Sequence, residues 1–353
     1  MAFCQQKRGI YHSKERFAME KRVLLKDIAQ KLGVSTALVS YVLNNKKENR
    51  INKDMARRIR ETAQELNYRP NQIAKSLKTR KTLTIGLVVA DIANTFFSTL
   101  ARIIEDEAEK NNYTVIFGSS DESTERSRKL LDVLLDRQVD GLILAPTENS
   151  ENQIKELQKR NIPFVLIDRY FPSLDANYVG VQNYEAAYEC GVHLAETGRR
   201  RIGIIGFKTT LLHLQDRRKG FLQALQDNGI TVPRNRIHEV SLEATAAEME
   251  KSIQHLVNGP EPVDALFFAS NKLSTLALKY INQLPLRVPT DLAICSFDQS
   301  DATDLFYAPL THIRQPLQEM GQQAVQLLLQ AMDNKTGTTQ LHLPAELVVG
   351  LST

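Results

Sequence analysis

Side chains able to grip a hydroxylated ligand recur just after short apolar runs in this chain. Asp91 and Asn94 precede the pair Phe96-Phe97. Ser119-Ser120-Asp121, Asp168-Arg169, Asn271 and Asp298 each follow such a run, and Arg217 opens Arg-Arg-Lys-Gly-Phe221. Carboxylates, guanidinium and carboxamide groups can each engage two neighbouring hydroxyls, and an aromatic face can cover the apolar side of a pyranose ring. Taken singly, each residue has an ordinary alternative: Asp after a strand often caps a helix, and Phe-Phe is often core. A second chemistry is written at the other end of the chain. Residues 1–81 hold 20 Lys+Arg against 7 Asp+Glu, a net of +13, and the rest holds 25 against 34, a net of −9. A basic head on an acidic body is the electrostatic footprint of a protein that meets a polyanion. A solvated basic tail would carry the same charge.

The elements that must position the first set alternate in a regular way. Strand-like runs at Leu83–Val89, Tyr113–Phe117, Val139–Leu144 and Phe164–Ile167 are separated by helical segments beginning near Phe96, Thr124 and Asn152. After about Val181 the alternation restarts, with strands at Ile202–Ile205, Ala265–Phe268 and Ala293–Phe297. Short apolar strands alternating with helices predict parallel sheets flanked by helices. Two successive sets predict two lobes, and ligands of such sheets bind outside the carboxyl ends of the strands. The polar residues above therefore converge on a cleft between lobes.

The basic head reads as helix, turn, helix. Lys26 to Leu32 is amphipathic, and Gly33 stands where a C-cap glycine belongs. Ser35 can cap a second helix through Val39, Val42 and Leu43. A third helix, Asp54 to Leu66, follows Asn52 and turns Met55, Ile59, Ala63 and Leu66 inward. Two short helices on a tight glycine turn are the form in which a second helix enters the DNA major groove.

In combination these segments are specific. The run Leu25-Lys-Asp-Ile-Ala-Gln-Lys-Leu-Gly-Val-Ser35, then Val39-Ser40 and Val42-Leu43-Asn44, resembles the head of the LacI/GalR (lactose repressor) family of transcriptional regulators. Leu66-Asn-Tyr-Arg-Pro-Asn71-Gln-Ile-Ala-Lys-Ser-Leu77 resembles that family's third helix end and hinge helix. The likeness runs to about Val349. It implies an α/β chain with an all-α helix-turn-helix head and a two-lobed periplasmic-binding-protein-like body of doubly wound parallel sheets. The domains it implies are an N-terminal extension at 1–22, a DNA-binding domain at 23–70, a hinge at 71–81 and an effector-binding and dimerisation domain at 82–353.

Roles follow residue by residue from the resemblance. Thr36, Ala37 and Tyr41 take base-reading positions; Ser35, Ser40 and Asn44 face phosphates or the groove wall. Asn71 lies in the hinge, and Leu77 is the wedge that enters the minor groove and kinks the DNA. Phe96, Phe97, Asp168, Arg217, Asn271, Asp298 and Gln315 match effector-contact positions, with Asp298 and Arg217 expected to serve binding and not folding. Several residues depart from the family pattern: Tyr41 replaces an arginine, Leu24 a capping threonine, Arg199 a histidine and Lys272 an aspartate, while Gln299 stands where a second Asp is frequent. The connection Lys46-Lys-Glu-Asn-Arg50 is about two residues longer than usual, and Met19 is a second candidate start. The resemblance implies a homodimer on a pseudo-palindromic operator in double-stranded DNA, with an allosteric sugar-like effector.

Other classes fit less well. Cys4, Cys190 and Cys295 have no metal-type spacing, and their odd number argues against a disulfide framework, in keeping with a reducing cytoplasm. There is no apolar run of membrane-spanning length or signal-peptide type. A sugar-binding receptor would share the lobes but not the head. A dinucleotide-dependent enzyme would need more than the two glycines of Ile202-Gly-Ile-Ile-Gly206. No metal, other cofactor or catalytic constellation is expected.

Overall fold

The computed structural model describes residues 23–46, 50–69, 81–243, 245–333 and 337–353. The chain divides into two units, Met1–Lys78 and Thr79–Thr353. The first contains α1 (Leu25–Leu32), α2 (Thr36–Leu43) and α3 (Lys53–Glu65). Each helix end has a local cause. Leu24 cannot cap α1, so Asp27 reaches back and accepts from the Leu24 N–H at 2.8 Å. Gly33 ends α1 at φ 66°, a left-handed conformation glycine adopts without penalty. Ser35 Oγ accepts from the Leu38 N–H at 3.2 Å and opens α2. Asn52 Oδ1 accepts from the Asp54 and Met55 N–H groups at 2.9 and 3.2 Å and opens α3. Ile28, Ala29, Val39, Val42, Ile59 and Ala63 make the core, with Met55 and Leu66 packed at its edge.

The second unit runs β1 (Thr84–Val89), α4 (Thr95–Lys110), β2 (Thr114–Ser119), α5 (Thr124–Asp136), β3 (Gly141–Leu144), α6 (Glu151–Lys159), β4 (Phe164–Ile167) and β5 (Tyr178–Val181). It continues with α7 (Asn183–Glu196), β6 (Ile202–Phe207), α8 (Leu212–Asp227), β7 (Ile237–Val240), α9 (Ala246–Asn258), β8 (Ala265–Phe268), α10 (Asn271–Ile281), β9 (Ala293–Phe297), α11 (Asp301–Leu305) and β10 (Thr311–Arg314). Last come α12 (Leu317–Met332), β11 (Gln340–Leu343) and β12 (Glu346–Val348). Two six-stranded sheets result, ordered β11-β5-β4-β3-β1-β2 and β12-β10-β9-β8-β6-β7.

The lobes are not two successive sets, as the alternation suggests. After β10 the chain returns to the first lobe, where Met320, Ala324, Val325 and Leu328 of α12 join the core around Phe96 and Phe97. β11 then pairs parallel to β5, and β12 crosses back to pair antiparallel to β10, with Ile313 opposite Leu347. The chain therefore passes between lobes three times, which ties their relative motion to several strands at once. A second correction concerns the cysteines. Cys190 on α7 and Cys295 on β9 meet in the second lobe's core with sulfurs 2.14 Å apart, a pair that an odd count did not suggest. No helix among the described residues is long and apolar enough to cross a membrane.

Candidate functional site

In the first unit, α2 buries Val39 and Val42 and turns the opposite side outward. Thr36, Ala37, Tyr41 and Asn44 are exposed and Ser40 is half-buried. Their spacing of one, three and four residues places them on one face of a helix. Ser35 is exposed but already spends its hydroxyl on the helix cap. Asn44 donates to the Ser40 carbonyl at 2.8 Å, so its amide oxygen points away from the helix backbone. The arginines of α3 flank this face unevenly: Arg57 lies near Asp54 and Glu61, and Arg60 donates to Asn45 at 3.2 Å. Asn71 and Leu77 lie outside the described residues, as do residues 1–22 and the middle of the Lys46–Arg50 connection.

In the second unit the expected ligand residues come together where the two lobes face each other. Phe96, Phe97, Asp168, Arg217, Asp298 and Gln315 line one narrow void of about 50 Å³ between the lobes. Asn271 lines the adjoining mouth beside Asp91, Asn94 and Lys272. From the first lobe, α4 starts at the C-terminal end of β1 with Asn94 as its cap and sets Phe96 edge-on to Phe97, ring centres 4.9 Å apart. Asp168 follows β4 at φ 66°, and Asp298 follows β9 at φ 72°. Two aspartates held in left-handed backbone at equivalent strand ends are a strained arrangement of the kind found at ligand sites.

Arg217 sits within α8 and not after a strand. Its position depends on Gly220, one turn on. A Cβ there would lie 2.0 Å from the Tyr184 carbonyl oxygen, so only glycine lets α8 approach the start of α7 so closely. That approach brings Arg217 Nε to Asn183 Oδ1 at 2.8 Å. The guanidinium also donates to the Ala269 carbonyl at 3.0 Å and to Asp298 Oδ2 at 3.2 Å, and lies 3.7 Å over the Phe297 ring. Gln315 Nε2 donates to the other Asp298 oxygen. Asp298 and Arg217 are thus a buried ion pair within a network, with a structural part that the sequence expectation omits.

Of the residues that complete the cleft, Glu122, Glu148 and His213 were not singled out in the sequence. Arg169 makes a two-pronged pair with Glu122, 2.7 Å on each arm, and lies 5.6 Å over Phe97. His213, one turn before Arg217 on the same face of α8, brings Nε2 to 4.0 Å from Asp168 Oδ2 across the cleft. Asn271 Nδ2 crosses the cleft to Asn94 Oδ1 at 2.8 Å. Glu148, after β3, accepts from the Thr210 N–H and hydroxyl, at 2.5 and 3.0 Å. The spacing of His213 and Arg217 could have flagged the histidine; nothing local could have flagged Glu148. Lys272 donates to the Leu242 carbonyl at 2.8 Å. His193 and Arg199 are structural, bonded to Thr353 and Pro289.

Burial pushes the Asp168 carboxyl up to about 6, against the lowering effect of Arg169 and Arg217 and with smaller upward effects from Asp298 and Glu122. Burial, aided by Arg169 and Arg217, holds His213 well below its ordinary value and therefore neutral. An acid whose folded pKa exceeds its unfolded value of 3.8 takes up a proton on folding. Its protonation stabilises the folded state as pH falls from about 6 towards 4. His213 acts in the opposite sense, since the unfolded chain protonates it first. Comparing wild type with Asp168→Asn isolates the aspartate. The stability difference between them is expected to move by about 2 kcal/mol in favour of wild type from about pH 7.5 to about pH 4. Chemical denaturation at each pH measures it; a flat difference would contradict the assignment.

Known proteins agree with this organisation. Residues 24–71 match the family described as bacterial regulatory proteins, lacI family, and residues 192–353 match a periplasmic binding protein-like domain. The transcriptional repressor CytR of Escherichia coli (strain K12) is 31% identical over 95% of this chain and 97% of its own length. The ribose operon repressor of Halalkalibacterium halodurans is 32% identical over 92% and 95%. Among solved structures, the Lac repressor dimer bound to operator and the anti-inducer ONPF superposes with a TM-score of 0.84 at 23% identity, covering 94% of this chain and 99% of that one. With helix-turn-helix head, paired parallel lobes and relatives that are transcriptional regulators along nearly their whole length, this chain belongs to the lacI family and is a DNA-binding transcription regulator, not an enzyme.

Proposed function

We propose that this regulator acts in the cytoplasm as a homodimer on a pseudo-palindromic operator, under the control of a sugar bound between the lobes of its second unit. The observation that carries the effector reading is the convergence of Phe96, Phe97, Asp168, Arg217, Asp298 and Gln315 on one void fed by both lobes. The ribose operon repressor among its relatives supports a sugar. Thr36, Ala37 and Tyr41 read base edges, Ser35, Ser40 and Asn44 meet the backbone and groove wall, and the hinge at Asn71–Leu77 carries the minor-groove wedge. Asn271 closes the cleft mouth by reaching Asn94. Ligand entry shifts the lobes, and the shift changes the spacing of the two heads. A thermal-shift screen of free sugars against the full chain tests the effector reading; a protein unmoved by every sugar would contradict it.

The dimer reading rests on exposed apolar side chains in both lobes. Phe117 on the edge strand β2 is 59% exposed, and in the second lobe Leu305 and Tyr307 are 84% and 61% exposed. Leu351 is exposed as well and bonds to Pro309, beside Tyr307. Such patches in both lobes suit a second copy, which would add its head to the second half-site. The double variant Phe117→Asp, Leu305→Asp is expected to sediment as a monomer and to bind operator at least tenfold more weakly. A variant that stays dimeric would place the interface elsewhere.

A further inference from the structure

The hydrogen-bond balance of the cleft says more about the ligand than its outline does. Two buried amides there have forced orientations. Gln315 Nε2 faces a carboxylate, which can only accept, so Gln315 Oε1 is left as a buried acceptor without a partner. Asn94 Oδ1 is fixed as an acceptor because it caps α4 by taking the Phe96 N–H at 3.0 Å. Asn271 must therefore present Nδ2 to it, which leaves Asn271 Oδ1 as a second buried acceptor without a partner. Asp168 adds a carboxylate that lies 3.5 Å from Arg169 Nε and 4.0 Å from Nε2 of the neutral His213. Two acceptors thus await donors, beside a carboxylate that faces Arg169. Of the buried donors left over, Arg169 Nε already faces Asp168, and the Ser300 hydroxyl at the mouth can accept as well as donate.

The charges tell the same story. Around the void stand the carboxylates Asp168, Glu122 and Asp298 against the guanidiniums Arg169 and Arg217, and both guanidiniums are paired with carboxylates. At the rim, Lys272 is turned to the Leu242 carbonyl and Arg314 is paired with Glu346 at 3.4 Å. Helix N-termini could welcome an anion; α12 opens beside Gln315 without a side-chain cap, but three others at this cleft are occupied. Asn94 caps α4, Ser270 caps α10, and the Glu148 carboxylate sits on the Thr210 N–H at the start of α8. Among the described residues an entering anion finds acceptors and no unspent cation.

We infer that the cleft is built for an uncharged ligand that donates hydrogen bonds to Asp168, Gln315 and Asn271, a free sugar or polyol, and that it turns away the phosphorylated and carboxylated forms of the same ligand. A hydroxyl group donates one hydrogen bond, whereas a phosphate or carboxylate oxygen at neutral pH only accepts. A charge placed beside a buried carboxylate of the same sign also stays uncompensated. The inference rests on the sugar reading above and narrows it to one charge class.

Matched pairs test it on the full chain by titration calorimetry: D-ribose with D-ribose 5-phosphate, D-glucose with D-glucose 6-phosphate and D-glucuronate, D-fructose with D-fructose 1-phosphate. The neutral member of at least one pair is expected to bind, with its anionic partner at least 100-fold weaker. Asp168→Asn removes the repelling charge while keeping the side chain's shape, and is expected to narrow that gap at least tenfold. An anionic member that binds as tightly as its neutral partner, or a gap untouched by Asp168→Asn, would overturn the inference and leave the sugar reading standing. Silence of every pair would overturn the sugar reading and this inference with it.

Discussion

Asp298→Ala is expected to abolish sugar binding and to lower the unfolding free energy of the protein by about 3–5 kcal/mol, the usual cost of stranding one partner of a buried ion pair. Arg217 and Asp298 have side-chain exposures of only 3% and 9%. Removing the carboxylate leaves the guanidinium charged and enclosed, with Asn183 and the Ala269 carbonyl as its remaining acceptors. It also takes the acceptor from Gln315 Nε2. Asp298→Asn keeps one acceptor oxygen and should cost less stability while still losing the ligand. Urea unfolding and calorimetry on the same samples separate the two effects. A loss below about 1 kcal/mol would mean that the pair is solvated and the network loosely held.

A protein that starts at Thr79 is expected to lose operator binding altogether, while binding its sugar as the full chain does. Residues 1–78, with 18 Lys+Arg against 7 Asp+Glu and so a net of +11, and the exposed face of α2 are what is removed. The remaining chain carries a net negative charge, which repels DNA. The full chain should show the counterpart, a fall in operator affinity of about 10³–10⁵ between about 50 and 200 mM salt if some 6–10 phosphates are contacted. Fluorescence anisotropy with a labelled operator measures both. Operator affinity kept within tenfold by the shortened protein would move the DNA interface into the lobes.

What could be read from the residues alone divides along physical lines. Local chemistry was legible. Gly33, Ser35 and Asn52 marked helix ends to within a residue, because a cap is a contact between near neighbours in sequence. β4, β8 and β9 were legible to the residue because strands buried on both faces are unbroken apolar runs. The edge strand β11, Gln-Leu-His-Leu, has no such run and takes its place from β5. The interleaving of the lobes was illegible for the same reason: α12 reads as an ordinary amphipathic helix, and only packing assigns it to the first lobe. Strand-end residues such as Asp168 and Asp298 were visible, since strand ends point to the cleft. Cross-cleft contacts such as Glu148 with Thr210 join residues 62 apart and depend on how the lobes close.

The central claim is that occupancy of the cleft sets the affinity of the head for DNA. Operator affinity measured at zero and at saturating concentration of the neutral sugar identified by the paired titrations tests it most directly. Coupling of the usual strength, about 1–3 kcal/mol, predicts a change of roughly 5–150-fold. By linkage, operator DNA must change the sugar's affinity by the same factor. The double variant Asp168→Asn, Asp298→Asn should show neither change. An operator affinity that is the same with the cleft empty and filled would contradict the account.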